Sequence, residues 1–137
     1  MDKKTQEELQ KKYMEMQMLD VQMKQIHKQL ESVEENIGEL MQTKNNIESI
    51  RGISQGTEIL VPISSGIFVK GAIKDTSGLL VNVGANTVVN KSVEETKALL
   101  DSQMEEITKY REQMLQVLHK LENKAIELDK QLTGMME

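Results

Sequence analysis

The chain has no cysteine and no tryptophan, a single proline, and only three aromatic rings, Tyr13, Phe68 and Tyr110. Without cysteine there is neither a disulfide framework nor a thiolate metal site. With so few rings, a globular core built on large side chains is not expected, and burial has to come from Leu, Ile, Val and Met. Apolar runs such as Ile59 to Ile63 fall far short of the roughly 20 residues needed to cross a bilayer. The start, Met1-Asp2-Lys3-Lys4, leads into charged sequence rather than an apolar signal core, so a cytoplasmic protein is expected. Charge of one sign is not gathered anywhere: 17 basic and 22 acidic residues interleave to a net charge of -5. The lack of a basic patch argues against nucleic acid or an anionic membrane as main partner. No GxxxxGK[ST] loop is present, so nothing points to ATP binding, and no cofactor or metal is expected.

What the chain has instead is a seven-residue rhythm. From residue 5 to 51 there is no proline, and Leu9, Met16, Met23, Leu30 and Ile37 form one apolar series, Leu19, Ile26, Val33, Leu40 and Ile47 a second. These are the a and d positions of a coiled coil. At ~1.5 Å per residue such a helix runs roughly 70 Å, too long for a small compact domain, and is expected to project as an arm. A second helix is expected over 92–135. Ser92-Val93-Glu94-Glu95 reads as a capping box, with the Ser92 hydroxyl accepting from the Glu95 amide and the Glu95 carboxylate reaching back. Val93, Leu100, Ile107, Met114, Leu121, Leu128 and Met135 keep the seven-residue step, with Met104, Leu118, Ala125 and Leu132 supplying most of the partner series. Two arms of similar length are expected to fold back antiparallel, placing Ile37 near Ile107 and Leu9 near Met135, with all of the chain one domain. Lys44, Lys97 and Arg111 interrupt the apolar series and read as snorkelling side chains that fix register.

Between the arms, residues 56–90 change period from 3.5 to 2. Ile59, Val61 and Ile63 alternate in one run, Ile67, Val69 and Ile73 in the next, Leu79, Val81 and Val83 in the third, and Val88 and Val89 mark a short fourth. Ser64-Ser65-Gly66, Asp75-Thr76-Ser77-Gly78 and Gly84-Ala85-Asn86 separate them as turns. The fold class is therefore α+β: a long antiparallel two-helix coiled coil with two β-hairpins between the helices. Pro62 cannot donate to a ladder, so an edge or a bulge is expected there. So small a head buries too little apolar surface to offset the ordering of its backbone, and its strand edges are open. Heads from several chains are expected to complete one another's sheets through the alternating residues named above.

Most of the coil obeys the rule that outer positions are polar, as at Gln25, Lys28, Ser32, Glu35, Glu39, Gln42 and Ser49. Near the free ends it fails. Met14, Met18 and Val21 lie at i, i+4, i+7 on the outside, and Ile126 and Met136 break the same rule on the returning arm. Methionine is unbranched and polarizable, so a Met-rich surface re-packs against differently shaped apolar partners. On the residues alone, a bundle contact with another copy and weakly constrained ends remain alternative readings of the stripe. Catalysis has little to stand on: His27 and His119 fall on solvated helix faces, and the carboxylates interleave with lysines as ordinary surface pairs.

The order coil, two hairpins, coil, together with Glu58-Ile59-Leu60-Val61-Pro62-Ile63, Gly66-Ile67-Phe68-Val69-Lys70-Gly71 and Leu80-Val81-Asn82-Val83-Gly84-Ala85, resembles the alpha subunit of the prefoldin family. The resemblance spans essentially the whole chain, and the paired hairpins favour the alpha type, since beta subunits carry one. It implies a hexamer of two alpha and four beta-type subunits, with the heads forming an intersubunit β-barrel platform and the coils hanging from it. It implies an ATP-independent chaperone, a holdase, that captures non-native polypeptides between the coil tips and delivers them to a group II chaperonin. Carried onto this sequence, the client-binding tip residues are Leu9, Tyr13, Met14, Met16, Met18, Leu19 and Met23 on the outgoing arm and Leu128, Leu132, Met135 and Met136 on the returning one. The family also includes alpha-like subunits that assemble as filaments through the same head edges, and a coiled-coil scaffold of that kind is the rival reading.

Overall fold

The computed structural model describes residues 2–136. Its elements run α1 (Lys3–Ile50), β1 (Glu58–Ser64), β2 (Ile67–Ala72), β3 (Leu79–Gly84), β4 (Thr87–Lys91) and α2 (Val93–Met136). Two long helices with two small antiparallel strand pairs between them is the α+β arrangement expected from the sequence.

Helix α1 starts at Asp2, whose carboxylate accepts from the Thr5 amide at 2.7 Å and whose carbonyl accepts from the Gln6 amide. Helix α2 starts at Ser92, whose hydroxyl accepts from the Glu95 amide at 3.0 Å. This is the serine's half of the expected capping box. The Thr96 hydroxyl and amide both donate to the Ser92 carbonyl, at 2.8 and 3.0 Å, and Thr96 is buried. Every position of both heptad series is buried or half-buried in the two helices, and the residues between them are mostly exposed.

The chain forms two compact units, one of the segments up to Ile37 and from Glu106 onward, the other Gly38–Glu105. In the first, α1 and α2 run antiparallel around a seam whose most buried members are Leu19, Val33, Met114, Leu118 and Leu132. Arg111 reaches across this seam to Glu34 at 3.0 Å. In the second unit Lys44 meets Asp101 at 2.5 Å, Lys97 meets Glu48 at 2.6 Å, and Arg51 pairs with both Glu48 and Glu94. Within the second unit the residue numbers of each interhelical ion pair, 44 with 101, 48 with 97 and 51 with 94, add to 145, so all three follow one antiparallel register. The three cations that interrupt the apolar series therefore each find an acid on the facing helix. Such exposed pairs stabilise by about 1 kcal/mol at most, and their value lies in rejecting other registers.

The second unit also carries the strands, in two separate two-stranded sheets, β1-β2 and β3-β4. Their registers are the same pattern displaced by twenty residues: Val61 pairs with Val69 as Val81 does with Val89, and Ser64 with Ile67 as Gly84 does with Thr87. Each register slips just before the turn, between Pro62 and Ser64 in one hairpin and Asn82 and Gly84 in the other. Of the edge or bulge expected at Pro62, β1 is an edge strand of a two-stranded sheet and its register shifts there, and the shift has a counterpart that no proline announces. The β3-β4 turn places Ala85 at φ 51° and Asn86 at φ 58°, the left-handed pair of a type I′ turn. Asn tolerates this conformation, but Ala does so at a cost of roughly 1 kcal/mol. The Asn82 carboxamide steadies the same turn by accepting from the Gly84 amide at 2.9 Å.

Candidate functional site

The residues assigned from sequence to the tip fall into two groups in the first unit. Leu19 and Leu132 are seam residues, 9% and 6% exposed, and Leu9, Met16, Met23, Leu128 and Met135 are half-buried at heptad positions. Tyr13, Met14, Met18 and Met136 stand outside the seam and are exposed. Helical spacing brings Met14, Met18 and Val21 onto one outer face, at 61%, 63% and 64% exposure. Isolated apolar residues at a surface need no explanation, but three large ones in a row on one helix face form a patch.

Two shallow grooves meet at Met18. One lies on α1 alone, lined by Met14, Gln17, Met18, Val21 and Gln22. The other lies between the helices, with Met18, Leu19 and Leu128 as its apolar floor and Lys12, Glu15, Lys124 and Glu127 at its margin. Polar bonds fix the geometry around them: Lys12 donates to the Gln131 side chain at 2.6 Å, and the Tyr13 hydroxyl to the Met136 sulfur at 3.4 Å. The arrangement offers apolar area with a mixed-charge margin, which suits the binding of apolar segments without selecting one sequence.

In the head, Ile59, Ile73, Leu79 and Val81 are half-buried, while Val61, Ile63, Ile67, Val69, Val83, Val88 and Val89 are exposed. Leu60, Phe68 and Leu80 are exposed as well, Leu80 at 79%, and alternation counting passed over all three. A signal for them existed: Ile59-Leu60-Val61 and Leu79-Leu80-Val81 are continuous apolar runs, the mark of strands covered on both faces rather than one. A second omission is on α2, where Tyr110 and Val117, seven residues apart and exposed, flank Met114 beside Ile26. Asking for an outer stripe on α2, as on α1, would have found it.

The electrostatics are those of surface pairs. The hydrogen bond from Lys97 holds the Glu48 carboxyl below its usual range, against a smaller opposing effect of burial, with Arg51 adding to the lowering. Asp2 is lowered by its bonds from Thr5, and Asp75 by those from the Ser77 amide and hydroxyl. His27 and His119 are exposed. Among the described residues no three His, Asp or Glu side chains gather as a metal site, and no helix is long and apolar enough to cross a membrane.

Two long helices with two small antiparallel strand pairs between them define an α+β coiled-coil protein. The family model described as "Prefoldin subunit" matches residues 19–135. Prefoldin subunit alpha of Thermofilum pendens is 35% identical over 75 residues, 55% of this chain and 58% of that one. Prefoldin subunit alpha of Methanococcus vannielii is 27% identical over 91% of each chain. A cryo-EM structure of filamentous PFD from Methanocaldococcus jannaschii shares the fold at a TM-score of 0.76 and 19% identity, over 84% of this chain and 95% of that one. The chain belongs to the prefoldin family of chaperones, on the side of its alpha subunits.

Proposed function

We propose that this chain is a subunit of an ATP-independent holdase: it captures non-native polypeptides on the exposed apolar face of its coil and, within a hexamer of two alpha and four beta-type subunits, delivers them to a group II chaperonin in the cytoplasm. The observation that carries the reading is the outer stripe of Met14, Met18 and Val21, an apolar face that the chain's own fold does not cover. Tyr13 and Met136 extend it, and the seam residues Leu9, Met16, Leu19, Met23, Leu128, Leu132 and Met135 hold it in place. The head residues act as the assembly surface, for which unpaired strand edges and exposed β-branched side chains are the support.

The test is suppression of light scattering by a chemically unfolded client diluted into buffer without nucleotide, in the presence of this chain and a prefoldin beta-type subunit. Suppression by the wild type and its loss in Met14→Gln/Met18→Gln, with helix content retained, support the reading. Equal suppression by both would reject the stripe as the capture surface.

A second reading has one observation in its favour, the structural likeness to a filamentous assembly. In that reading the same head edges join end to end and the coils serve as spacers. Particle mass separates the two, since a closed hexamer has one mass and a filament a distribution that grows with concentration.

A further inference from the structure

The chain has ten methionines and no cysteine, so thioethers are its only readily oxidised sulfur. The fold divides them sharply. Met114 is 7% exposed, and Met16, Met23, Met104 and Met135 are half-buried in the seam. Met14, Met18, Met41 and Met136 are exposed at 57% or more. Three of these four are in the first unit, and two of them, Met14 and Met18, share one helix face four residues apart. We infer that the exposed thioethers of Met14, Met18 and Met136 form an oxidation site through which a peroxide turns off the capture of apolar segments; this rests on the capture reading above.

The chemistry is a two-electron oxygen transfer. A sulfur lone pair attacks one oxygen of hydrogen peroxide, the O–O bond breaks as the S–O bond forms, and the proton on the sulfur-bound oxygen passes to the departing hydroxide, which leaves as water. The thioether is oxidised to a sulfoxide and the peroxide is reduced. The product is polar and chiral where the reactant was apolar and flexible. Met18 lines both grooves, so one oxygen there polarises both at once. Met136 reacts more slowly than Met14 and Met18, because the Tyr13 hydroxyl already donates to its sulfur at 3.4 Å. Reversal needs a thiol-dependent methionine sulfoxide reductase, with two thiols oxidised to a disulfide for each oxygen released as water. This chain has no cysteine, so those thiols come from another protein.

Met41 is an internal control, exposed but in the other unit and off the stripe. The experiment treats the full chain with graded hydrogen peroxide, removes the peroxide, follows each methionine by peptide mass, and after adding an untreated beta-type subunit measures client light scattering and helix content at each step. Met14 and Met18 are expected to oxidise about tenfold faster than Met114. Capture is expected to fall with the sulfoxide content of Met14 and Met18, with helix content unchanged, and to return after treatment with methionine sulfoxide reductases. Met41→Leu should fall in the same way. Met14→Leu/Met18→Leu/Met136→Leu should keep after peroxide whatever capture it had before. Capture that persists once Met14 and Met18 are fully oxidised overturns the switch alone, as does Met114 oxidising equally fast or a loss that the reductases do not reverse. Absence of capture before any peroxide overturns the capture reading and the switch together.

Discussion

The head and the outer stripe of the coil both leave large apolar side chains in solvent, but they do so with different chemistry. In the head the exposed residues are mostly β-branched, stiff at their first side-chain torsion, and mounted on two-stranded sheets whose outer edges carry unpaired amides and carbonyls. Such a surface is directional, and a partner must supply strands in register. On the stripe the residues are Met14, Met18 and Val21, and the helix satisfies its own backbone hydrogen bonds. That surface offers area without direction, and its methionines adapt to the shape they meet. Equal exposure therefore points to a fixed partner at one place and to interchangeable partners at the other.

The largest expected effect is in the head. Val69→Asp with Val89→Asp places a charge at the same point of both hairpins and should cost on the order of 3 kcal/mol or more per site once the sheets are covered. Sedimentation should then report a single chain with helix content intact; an unchanged particle mass would remove the head from assembly. Next comes the seam beneath the stripe. Leu132→Ala, at a position 6% exposed, should lower unfolding stability by roughly 2–4 kcal/mol, whereas Met18→Gln, one of the exposed positions, should shift it by less than about 0.5 kcal/mol. Urea titration distinguishes them, and similar losses at both would mean that the stripe is part of the core. A smaller gain is expected from Gly38→Ala. Gly38 lies within α1 with nothing near the position a Cβ would take, so the change should add about 1 kcal/mol and raise the thermal midpoint.

The smallest effect concerns pH. Asp2, Glu48 and Asp75 all have carboxyls held below the ordinary carboxylate range by the hydrogen bonds they accept. A depressed carboxyl contributes stability that is present above its unfolded value and is lost as pH falls through its folded one. The denaturation midpoint should therefore stay level from neutral pH to about 5 and decline only below about 4. A decline that begins above pH 6 would implicate other groups.

Much of the fold was legible in the sequence because a heptad pattern repeated over so many turns leaves little choice. The antiparallel return of α2 was expected from the similar length of the arms, and the ion pair of Arg111 with Glu34 lies within one residue of the register that the Ile37–Ile107 layer gives. The acid partners of Lys44, Lys97 and Arg111 were not legible, because they depend on that register and not on either helix alone. The proline-free stretch points to a helix from about Thr5, but the cap is Asp2, a residue outside the apolar pattern. The stripe was legible as an exception to the coil's polarity. Heptad position separates Met14 and Met18, which face outward, from Leu19 and Leu132, which face the seam, whereas the family resemblance grouped all four at the tip; burial follows the heptad. In the head, counting every second residue found Val61 and Val81 and overlooked Leu60 and Leu80, since a strand apolar on both faces shows no alternation to count.

The most direct test places a photo-activated crosslinker at Met18 in one sample and at Val83 in another, each with a beta-type subunit and an excess of unfolded client. If the stripe takes interchangeable partners and the head a fixed one, position 18 should link to the client and position 83 to a neighbouring subunit. Client linked only at position 83, or subunit linked at position 18 with no client there, would contradict it.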